Sequence, residues 1–460
     1  MKTSEYRDYL KGKKILVVGL GKSGKAAVEA LNELGALVSG QDNSPADKLN
    51  TQFLKYMENN SIPSYLGMLP DDMASYDMLV LSPGVPTDLD FIKAAENAGV
   101  EIIGELELAY RITEGRYVAI TGTNGKTTTT TLVGEIFREA GLPSAVVGNI
   151  GNPVVTAALN STSDEWMVAE VSSFQLETTS RFRPAVSAFL NLTPDHLNRH
   201  KTMEAYGEAK ARVFANQTAD DFLVINYDDK SCYSLAKSCK ARIVPFSRLE
   251  KLDYGAYLDD NKMLVFNDGT ELISICSSNE LKIIGNHNIE NALAAIAICI
   301  SAGIDAEIIA ETIREFPGVE HRIEFTEEVD GVRYFNDSKG TNVDASIIAI
   351  KALEHDIILI AGGDGKAQDF TELAEHLNGA VKALVLLGRD APVIEDAARK
   401  AGFNEIFTEK DMNDVVHRCS EISEPGDNVL LSPACASWDM YDNYEQRGQH
   451  FKECVREMLK

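Results

Sequence analysis

Short apolar runs bounded by turn formers recur along the chain, and between them apolar residues return every third or fourth position. The runs mark buried parallel strands and the intervening pattern marks amphipathic helices, so the order predicts a doubly wound α/β architecture. Lys13-Lys14-Ile15-Leu16-Val17-Val18-Gly19 reads as a strand, followed by a helix to Leu34 and a strand over 36–40. A strand at 77–81, a helix over 88–98, a strand at 100–103 and an acidic helix from Glu105 complete a Rossmann-like N-terminal domain, 1–115. The pattern restarts at Tyr117, with strands predicted at 117–120, 144–147, 165–171 and 185–191 and a helix over 129–140. Residues 221–284 carry short strand-like runs with Asp-Asp-Asn and Asn-Asp-Gly turns, which predicts antiparallel sheet. A helical pattern over 288–302, with Ile289, Leu293, Ile296, Ala297 and Ile300 on one face, belongs to a central domain, 116–316. Beyond Phe316-Pro317-Gly318, strands at 333–335, 356–361, 381–387 and 428–431 alternate with helical patterns and predict a doubly wound C-terminal domain, 317–460.

Composition narrows this picture. The 460 residues fit about three domains, and 44% hydrophobic with 25% charged residues is ordinary for a folded soluble chain. A formal charge of -26 argues against a broad basic face for nucleic acid. No apolar stretch reaches the roughly 20 residues of a membrane span, and Met1-Lys2-Thr3-Ser4-Glu5 does not read as a signal peptide. Seven scattered cysteines without a C-x-x-C pair read as reduced thiols. The expectation is a cytoplasmic protein, without nucleic-acid or membrane partners, acting on small anionic ligands.

The strongest chemical signal is Thr121-Gly122-Thr123-Asn124-Gly125-Lys126-Thr127-Thr128, set between a strand and a helix start. Glycines let backbone N–H groups converge on phosphate, Lys126 reaches the β/γ-phosphates and the Thr127 hydroxyl can ligate Mg²⁺. This makes the central domain a P-loop-type ATPase, although Ile120 stands where the usual first glycine belongs. A second turn, Gly19-Leu20-Gly21-Lys22-Ser23-Gly24, has the G-x-G-x-x-G form with acidic Asp42 further on; alone it reads as a dinucleotide site. Ser82-Pro83-Gly84-Val85 also follows a strand, where α/β sheets place ligands.

Glu170 ends the strand beside the phosphate loop and can complete a Mg²⁺ shell; its ordinary alternative is a solvated strand-end carboxylate. His196 follows a third strand, where a metal role and a structural role are both open. Asn336-Asp337-Ser338-Lys339-Gly340-Thr341-Asn342 and Gly362-Gly363-Asp364-Gly365-Lys366 each place a lysine after a strand, and each taken alone reads as a glycine turn with a solvated lysine.

Together with His287 to Asn291, His321-Arg322, Ser172-Ser173-Phe174-Gln175-Leu176-Glu177 and Ser432-Pro433-Ala434-Cys435-Ala436-Ser437, these stretches closely resemble the Mur ligases. The Ser-Ser-Phe-Gln-Leu-Glu and Ser-Pro-Ala-Cys-Ala-Ser stretches resemble those of members that add D-glutamate. The resemblance implies ATP-driven addition of D-glutamate to UDP-N-acetylmuramoyl-L-alanine through an acyl phosphate, by a monomer whose C-terminal domain closes over the central one. It implies that Gly122, Thr123, Asn124, Gly125, Lys126, Thr127, Thr128, Asn149, Asn291, Arg322 and Asp337 bind ATP. The UDP-substrate would meet Gly21, Lys22, Ser23, Asp42, Asn43, Ser82, Pro83, Gly84, Val85, Asn149, Ser172 and Gln175. D-glutamate would meet Lys339, Thr341, Lys366, Ser437 and Tyr444. Asn198 stands where the family often shows Asp and is given no role; Trp438 stands where a smaller apolar residue is common.

Lys210 lies on the apolar stripe Met203, Tyr206, Lys210, Val213 of a helix predicted over 202–215. On spacing alone it pairs with a phosphate or with Glu170. The resemblance places the matching lysine beside a second Mg²⁺, which an ammonium cannot ligate, and so implies a carbamylated Lys210 acting with Lys126, Glu170 and His196. The metal set is then Thr127, Glu170, His196 and Lys210, for two Mg²⁺ sites.

Overall fold

The apolar runs fold as three sheets. The structure, a computed structural model, describes residues 2–459 apart from the side chain of Asn198. The first sheet has five parallel strands in the order Ser64–Leu66, Leu37–Asp42, Lys14–Val18, Met78–Leu81, Glu101–Gly104. Its central strands are apolar on both faces because helices cover both, and Ile15, Leu16, Val17 and Leu79 are fully buried. Full burial of each such side chain stabilises by roughly 1.5–3 kcal/mol.

The second sheet has nine strands, ordered Leu272–Ser277, Met263–Asn267, Gly255–Leu258, Arg242–Ser247, Phe222–Asn226, Val186–Phe189, Arg116–Thr121, Trp166–Glu170, Ser144–Gly148. The expected antiparallel region is found at one edge only, from Gly255–Leu258 to Leu272–Ser277. Phe222–Asn226 and Arg242–Ser247 instead extend the parallel sheet: helix Lys230–Leu235 lies in the crossover between them, and a loop over 248–254 leads to Gly255–Leu258, which also pairs parallel. The third sheet runs Glu324–Val329, Val332–Asn336, Asn428–Leu431, Ile357–Gly362, Val381–Leu387, Ile406–Thr408, parallel except for its first pair.

These three sheets fall into two compact units: residues 1–280 with 289–314, and residues 281–288 with 315–460. The first unit holds two sheets because helix Glu105–Ile112, which leaves the first sheet, packs on helix Val154–Leu159 of the second. One apolar core runs through Leu31, Ile103, Leu108, Ile112, Tyr117, Val154 and Phe182. Glu107 adds a polar lock: its carboxylate accepts Ser180 N, Arg181 N and Phe182 N at 2.9 to 3.2 Å and the Arg111 Nε at 2.8 Å. Among the described residues no helix is long and apolar enough to cross a membrane.

Candidate active site

Strand Arg116–Thr121 delivers the phosphate loop, and helix Lys126–Glu139 begins one residue after the glycine that turns it. Gly125 caps that helix at φ 79°, a left-handed conformation that glycine adopts without strain. Thr129 N makes the first intrahelical bond, to Gly125 O at 2.9 Å, so the positive end of the helix faces the loop. Asn191, at the end of the neighbouring strand, fixes the loop from outside: its Oδ1 accepts Thr123 N at 3.0 Å and Asn124 N at 2.8 Å. The Lys126 ammonium curls back over the loop to Gly122 O at 2.9 Å and Thr123 O at 2.7 Å. Asn291 approaches the same turn, its Oδ1 accepting from Thr129 Oγ1 at 3.3 Å.

Lys210 reaches this loop from the other side. Helix Met203–Ala211, capped by the Thr202 side chain, buries it to 1% exposure, and its ammonium donates to Gly122 O at 2.7 Å. Two lysines therefore converge on one carbonyl. Burial, helped by the Lys126 charge, pushes the Lys210 amine down to about 6. The Tyr206 ring lies 4.5 Å from the ammonium and 6.5 Å from the His196 ring, which places His196 next along the same wall. His196 itself is backbone-strained, at φ 53°, and its side chain is 49% exposed.

Glu170 pairs in register with Ile120, one strand over from the loop, and is 1% exposed. Its Oε1 accepts Asn149 Nδ2 at 2.8 Å, whereas its Oε2 is buried with no hydrogen-bond partner. A buried, orphaned carboxylate oxygen is costly unless a cation completes it. With the buried Thr127 hydroxyl, Glu170 offers the hard oxygen donors that Mg²⁺ prefers. The residues present fit that ion. Unmodified, Lys210 does not fit a second one.

The glycine turn of the first sheet is built by close packing. Gly19 sits at φ 84°, Ser82 Oγ donates to Gly19 O at 2.6 Å, and a side chain on Gly24 would strike the Gly19 carbonyl. Gly21 caps helix Lys22–Glu33, and Lys22 reaches across to Gly151 O at 2.6 Å. Asp42 spans this turn and the next, its Oδ2 accepting Leu20 N at 2.7 Å and its Oδ1 accepting Ser44 N at 2.8 Å. Asn43 Oδ1 accepts from Gln41 Nε2 at 3.1 Å. Ser172 and Gln175 form a capping box on helix Ser173–Glu177, so part of their polar surface serves the helix start.

Arg199 links these regions, and sequence reasoning missed it. Its guanidinium donates to Pro83 O, Val85 O and Glu177 Oε2 at 3.4, 3.3 and 2.6 Å and stacks on Phe174, whose ring is 4.9 Å from His196. It thereby ties the loop after strand Met78–Leu81 to the His196 segment. Its only sequence signal was its place three residues after the candidate His196.

In the second unit, Asp337 is buried and accepts Ser432 Oγ at 2.7 Å and Ile323 N at 3.3 Å; burial pushes its carboxyl up to about 7. Lys339 lies 5.5 Å from the Tyr444 ring, and Thr341 N donates to Lys339 O at 2.9 Å. Lys366 lies 4.1 Å from the Trp438 ring, one residue past buried Ser437. Arg447, also missed, is buried and donates to Ser338 Oγ, Ser338 O and Cys435 O, tying the turn after strand Val332–Asn336 to the Ser432–Ser437 stretch. Glu320, His321 and Glu324 converge as metal ligands would, but the Lys452 ammonium bonds both carboxylates, at 2.6 and 2.9 Å. Arg322 stands next to this cluster in the same unit.

A strand-fed glycine loop with two converging lysines and a buried carboxylate has the layout of a nucleotide-dependent enzyme's site, and comparison with known proteins supplies the class. Residues 13–104 match the Mur ligase MurD-like N-terminal domain, 120–299 the Mur ligase middle domain, and 321–435 the Mur ligase glutamate ligase domain. The chain belongs to the Mur ligase family. It is 49% identical over 98% of its length, and 99% of the relative's, to the UDP-N-acetylmuramoylalanine--D-glutamate ligase of Clostridioides difficile strain 630. The protein of that name from Thermoanaerobacter sp. strain X514 is 47% identical with the same coverage. Among solved structures, the UDP-N-acetylmuramate-alanine ligase MurC of Thermotoga maritima superposes with TM-score 0.59 at 20% identity, covering 97% of this chain and 100% of that one. MurF of Acinetobacter baumannii gives 0.59 at 15% identity, covering 97% and 92%. At these identities the two structures speak for the fold.

Proposed function

We propose that the chain is an ATP-dependent amide ligase that adds D-glutamate to UDP-N-acetylmuramoyl-L-alanine, in peptidoglycan precursor synthesis. One observation carries this reading: the phosphate loop with its converging lysines stands in a chain 49% identical, nearly end to end, to a relative named for that reaction. Residues 1–115 take the uridine nucleotide, 116–316 take ATP, and 317–460 take the amino acid. The protein works as a cytoplasmic monomer.

An alanyl carboxylate oxygen attacks the γ-phosphorus of ATP, ADP leaves, and the resulting acyl phosphate is attacked at carbon by the neutral amine of D-glutamate, expelling phosphate and a proton. Both steps gather negative charge on oxygen. Lys126 and the N–H groups of 125–128 at the N-terminal end of helix Lys126–Glu139 meet it with fixed positive charge. Asn149, Asn291, Arg322 and Asp337 complete the ATP set. Gly21, Lys22, Ser23, Asp42, Asn43, Ser82 to Val85, Ser172 and Gln175 hold the uridine diphosphate and its sugar, and Lys339, Thr341, Lys366, Ser437 and Tyr444 hold D-glutamate.

Mg²⁺ at such a site neutralises phosphate oxygens; Thr127 and Glu170 would hold one ion, His196 and Lys210 a second. For the second, the neutral Lys210 amine adds to CO₂ and loses a proton, giving a carbamate with two oxygen donors. Burial supports this, since an amine pushed down to about 6 is largely uncharged at neutral pH. Phosphate release that requires both UDP-N-acetylmuramoyl-L-alanine and D-glutamate is the expected assay result; release without either substrate defeats the reading. Carbon-13 bicarbonate should give a carbamate NMR signal in the active enzyme that vanishes in Lys210→Ala.

A further inference from the structure

Trp438 is 64% exposed, directly after a serine that is 2% exposed. The turn that presents it is fixed from within, since Met440 N and Tyr441 N both donate to Ser437 O, at 3.1 and 2.8 Å. The indole is thus held out from the core by a rigid turn, and it meets one cation, the Lys366 ammonium at 4.1 Å from the ring centroid. Lys366 is aimed there by its own backbone. It and Ala367 are successive left-handed residues, at φ 51° and 60°, and Lys366 N donates to Asp364 Oδ1 at 3.0 Å. The same Asp364 carboxylate pairs with Arg389, so the acid nearest to Lys366 in sequence is engaged by another cation.

We propose that Trp438 is a positioning residue for D-glutamate: its indole face holds the Lys366 ammonium where a carboxylate of the amino acid meets it. The proposal rests on the assignment of Lys366 to glutamate recognition. A lysine side chain has four rotatable bonds, and fixing it only when substrate arrives weakens binding by the lost rotamer freedom. A carboxylate partner would fix it beforehand, but the incoming substrate carboxylate would then have to displace that partner. An aromatic face fixes the ammonium and leaves its full charge for the substrate, because the ring attracts a cation through its quadrupole and carries no net charge. An isolated exposed aromatic needs no explanation. This one lies on the lysine assigned to D-glutamate, and Asp364, the acid nearest to that lysine in sequence, pairs with Arg389.

The test is steady-state kinetics of the full chain, with D-glutamate varied at saturating ATP and UDP-N-acetylmuramoyl-L-alanine. An exposed cation–π contact converts to about a two- to fivefold effect. Trp438→Leu should therefore raise KM for D-glutamate about two- to fivefold, with kcat and the KM for ATP unchanged, and Trp438→Phe should restore most of the loss. Lys366→Met is the control for the underlying assignment and should raise the same KM much further. If Lys366→Met leaves it unchanged, the assignment of Lys366 fails and takes the proposal with it. A raised KM in Lys366→Met with a normal one in Trp438→Leu overturns the proposal alone, as does a Phe variant no better than Leu. Fluorescence gives a second readout, because the chain has only two tryptophans and Trp166 is buried. In Trp166→Phe, or in the difference between wild type and Trp438→Phe, D-glutamate should shift the Trp438 emission, and adding Lys366→Met should abolish that shift; a shift that survives Lys366→Met overturns the proposal.

Discussion

The turns at Gly19 to Lys25 and Thr121 to Thr128 look alike in sequence, each carrying glycines and lysines between a parallel strand and a helix, yet they aim their lysines differently. In the first, the helix begins at Lys22, so Lys25 lies one turn inside it and its ammonium rests over the Phe53 ring, 5.7 Å from the centroid. In the second, the glycine of the Gly-Lys pair is itself the cap and Lys126 the first helical residue, the position that Lys22 holds in the first turn, and its ammonium folds back over the loop. The phase between glycine and helix start decides which lysine can touch a phosphate. The pattern G-x-x-x-x-G-K-[ST] fails at one position in each turn, at Ala26 in the first and at Ile120 in the second, so counting residues without locating that start does not separate them.

Removing the two lysines breaks this comparison most sharply. Lys126→Ala should lower kcat by about 10²–10³-fold or more, the loss typical of one preorganised donor to developing charge. Lys25→Ala should stay within about twofold. Both should melt close to wild type in thermal unfolding. Equal losses in the two variants would sink the distinction.

Next in size is the lock that keeps both turns in one unit. Glu107 is fully buried and accepts from Arg111 and from the backbone of 180–182. Glu107→Ala leaves the Arg111 guanidinium, 4% exposed, with Glu101 as its remaining carboxylate and the N–H groups of 180–182 without their acceptor; each buried donor left unsatisfied costs about 1–3 kcal/mol. Chemical denaturation should show that loss, or a first transition in which the N-terminal sheet unfolds separately. A change below about 1 kcal/mol would mean that the apolar core alone joins the two sheets.

The lock also marks where sequence reading stopped. The phosphate loop and the glycine turn were legible because strand, turn and helix start are contiguous, and local pattern carries that information. The helix Thr3–Leu10 went unpredicted because it buries only Tyr6 and Leu10 amid polar residues. Arg199, Arg447 and the bonds from Glu107 to the backbone of 180–182 were invisible for a different reason: these partners lie far away in the chain, and no spacing rule reports them. For the same reason, no local pattern reports that helix Glu105–Ile112 packs the first two sheets into one compact unit. The burial of Lys210 could be read from helical spacing; that it shares Gly122 O with Lys126 could not.

Glycine substitutions sharpen the comparison at a smaller scale. A Cβ on Gly24 would meet the Gly19 carbonyl and lie 2.8 Å from Ser82 Oγ, whereas one on Gly21 meets nothing within 4 Å. Gly24→Ala should cost about 1–3 kcal/mol by overpacking and raise KM for the UDP-substrate. Gly21→Ala should lose at most about 1 kcal/mol, the penalty of alanine at a helix cap. If both variants behave alike in denaturation and kinetics, the turn is not held by close approach of its backbone.

The smallest effect concerns the contact between the two sheets at Glu105. This residue follows strand Glu101–Gly104, is 2% exposed, and its Oε1 accepts Val155 N at 2.7 Å from the start of helix Val154–Leu159. Its Oε2 is buried without a partner. Burial pushes the carboxyl up to about 7, against the opposing pull of the Val155 N–H. A folded pKa above the unfolded value means that the folded chain holds this proton more tightly. The resulting stability is complete below the ordinary glutamate value near 4.5 and is lost as pH rises through about 7. Glu105→Gln keeps the acceptor oxygen and cannot ionise, so it removes that pH dependence while adding a constant term for its buried amide. The stability of wild type minus that of Glu105→Gln should therefore fall between pH 5 and pH 8, by on the order of 1 kcal/mol. Groups common to both proteins cancel in the difference, so urea denaturation across that range isolates Glu105. A difference that stays flat with pH would show that Glu105 is already ionised in the folded chain, and would transfer the junction's polar stabilisation to Glu107 alone.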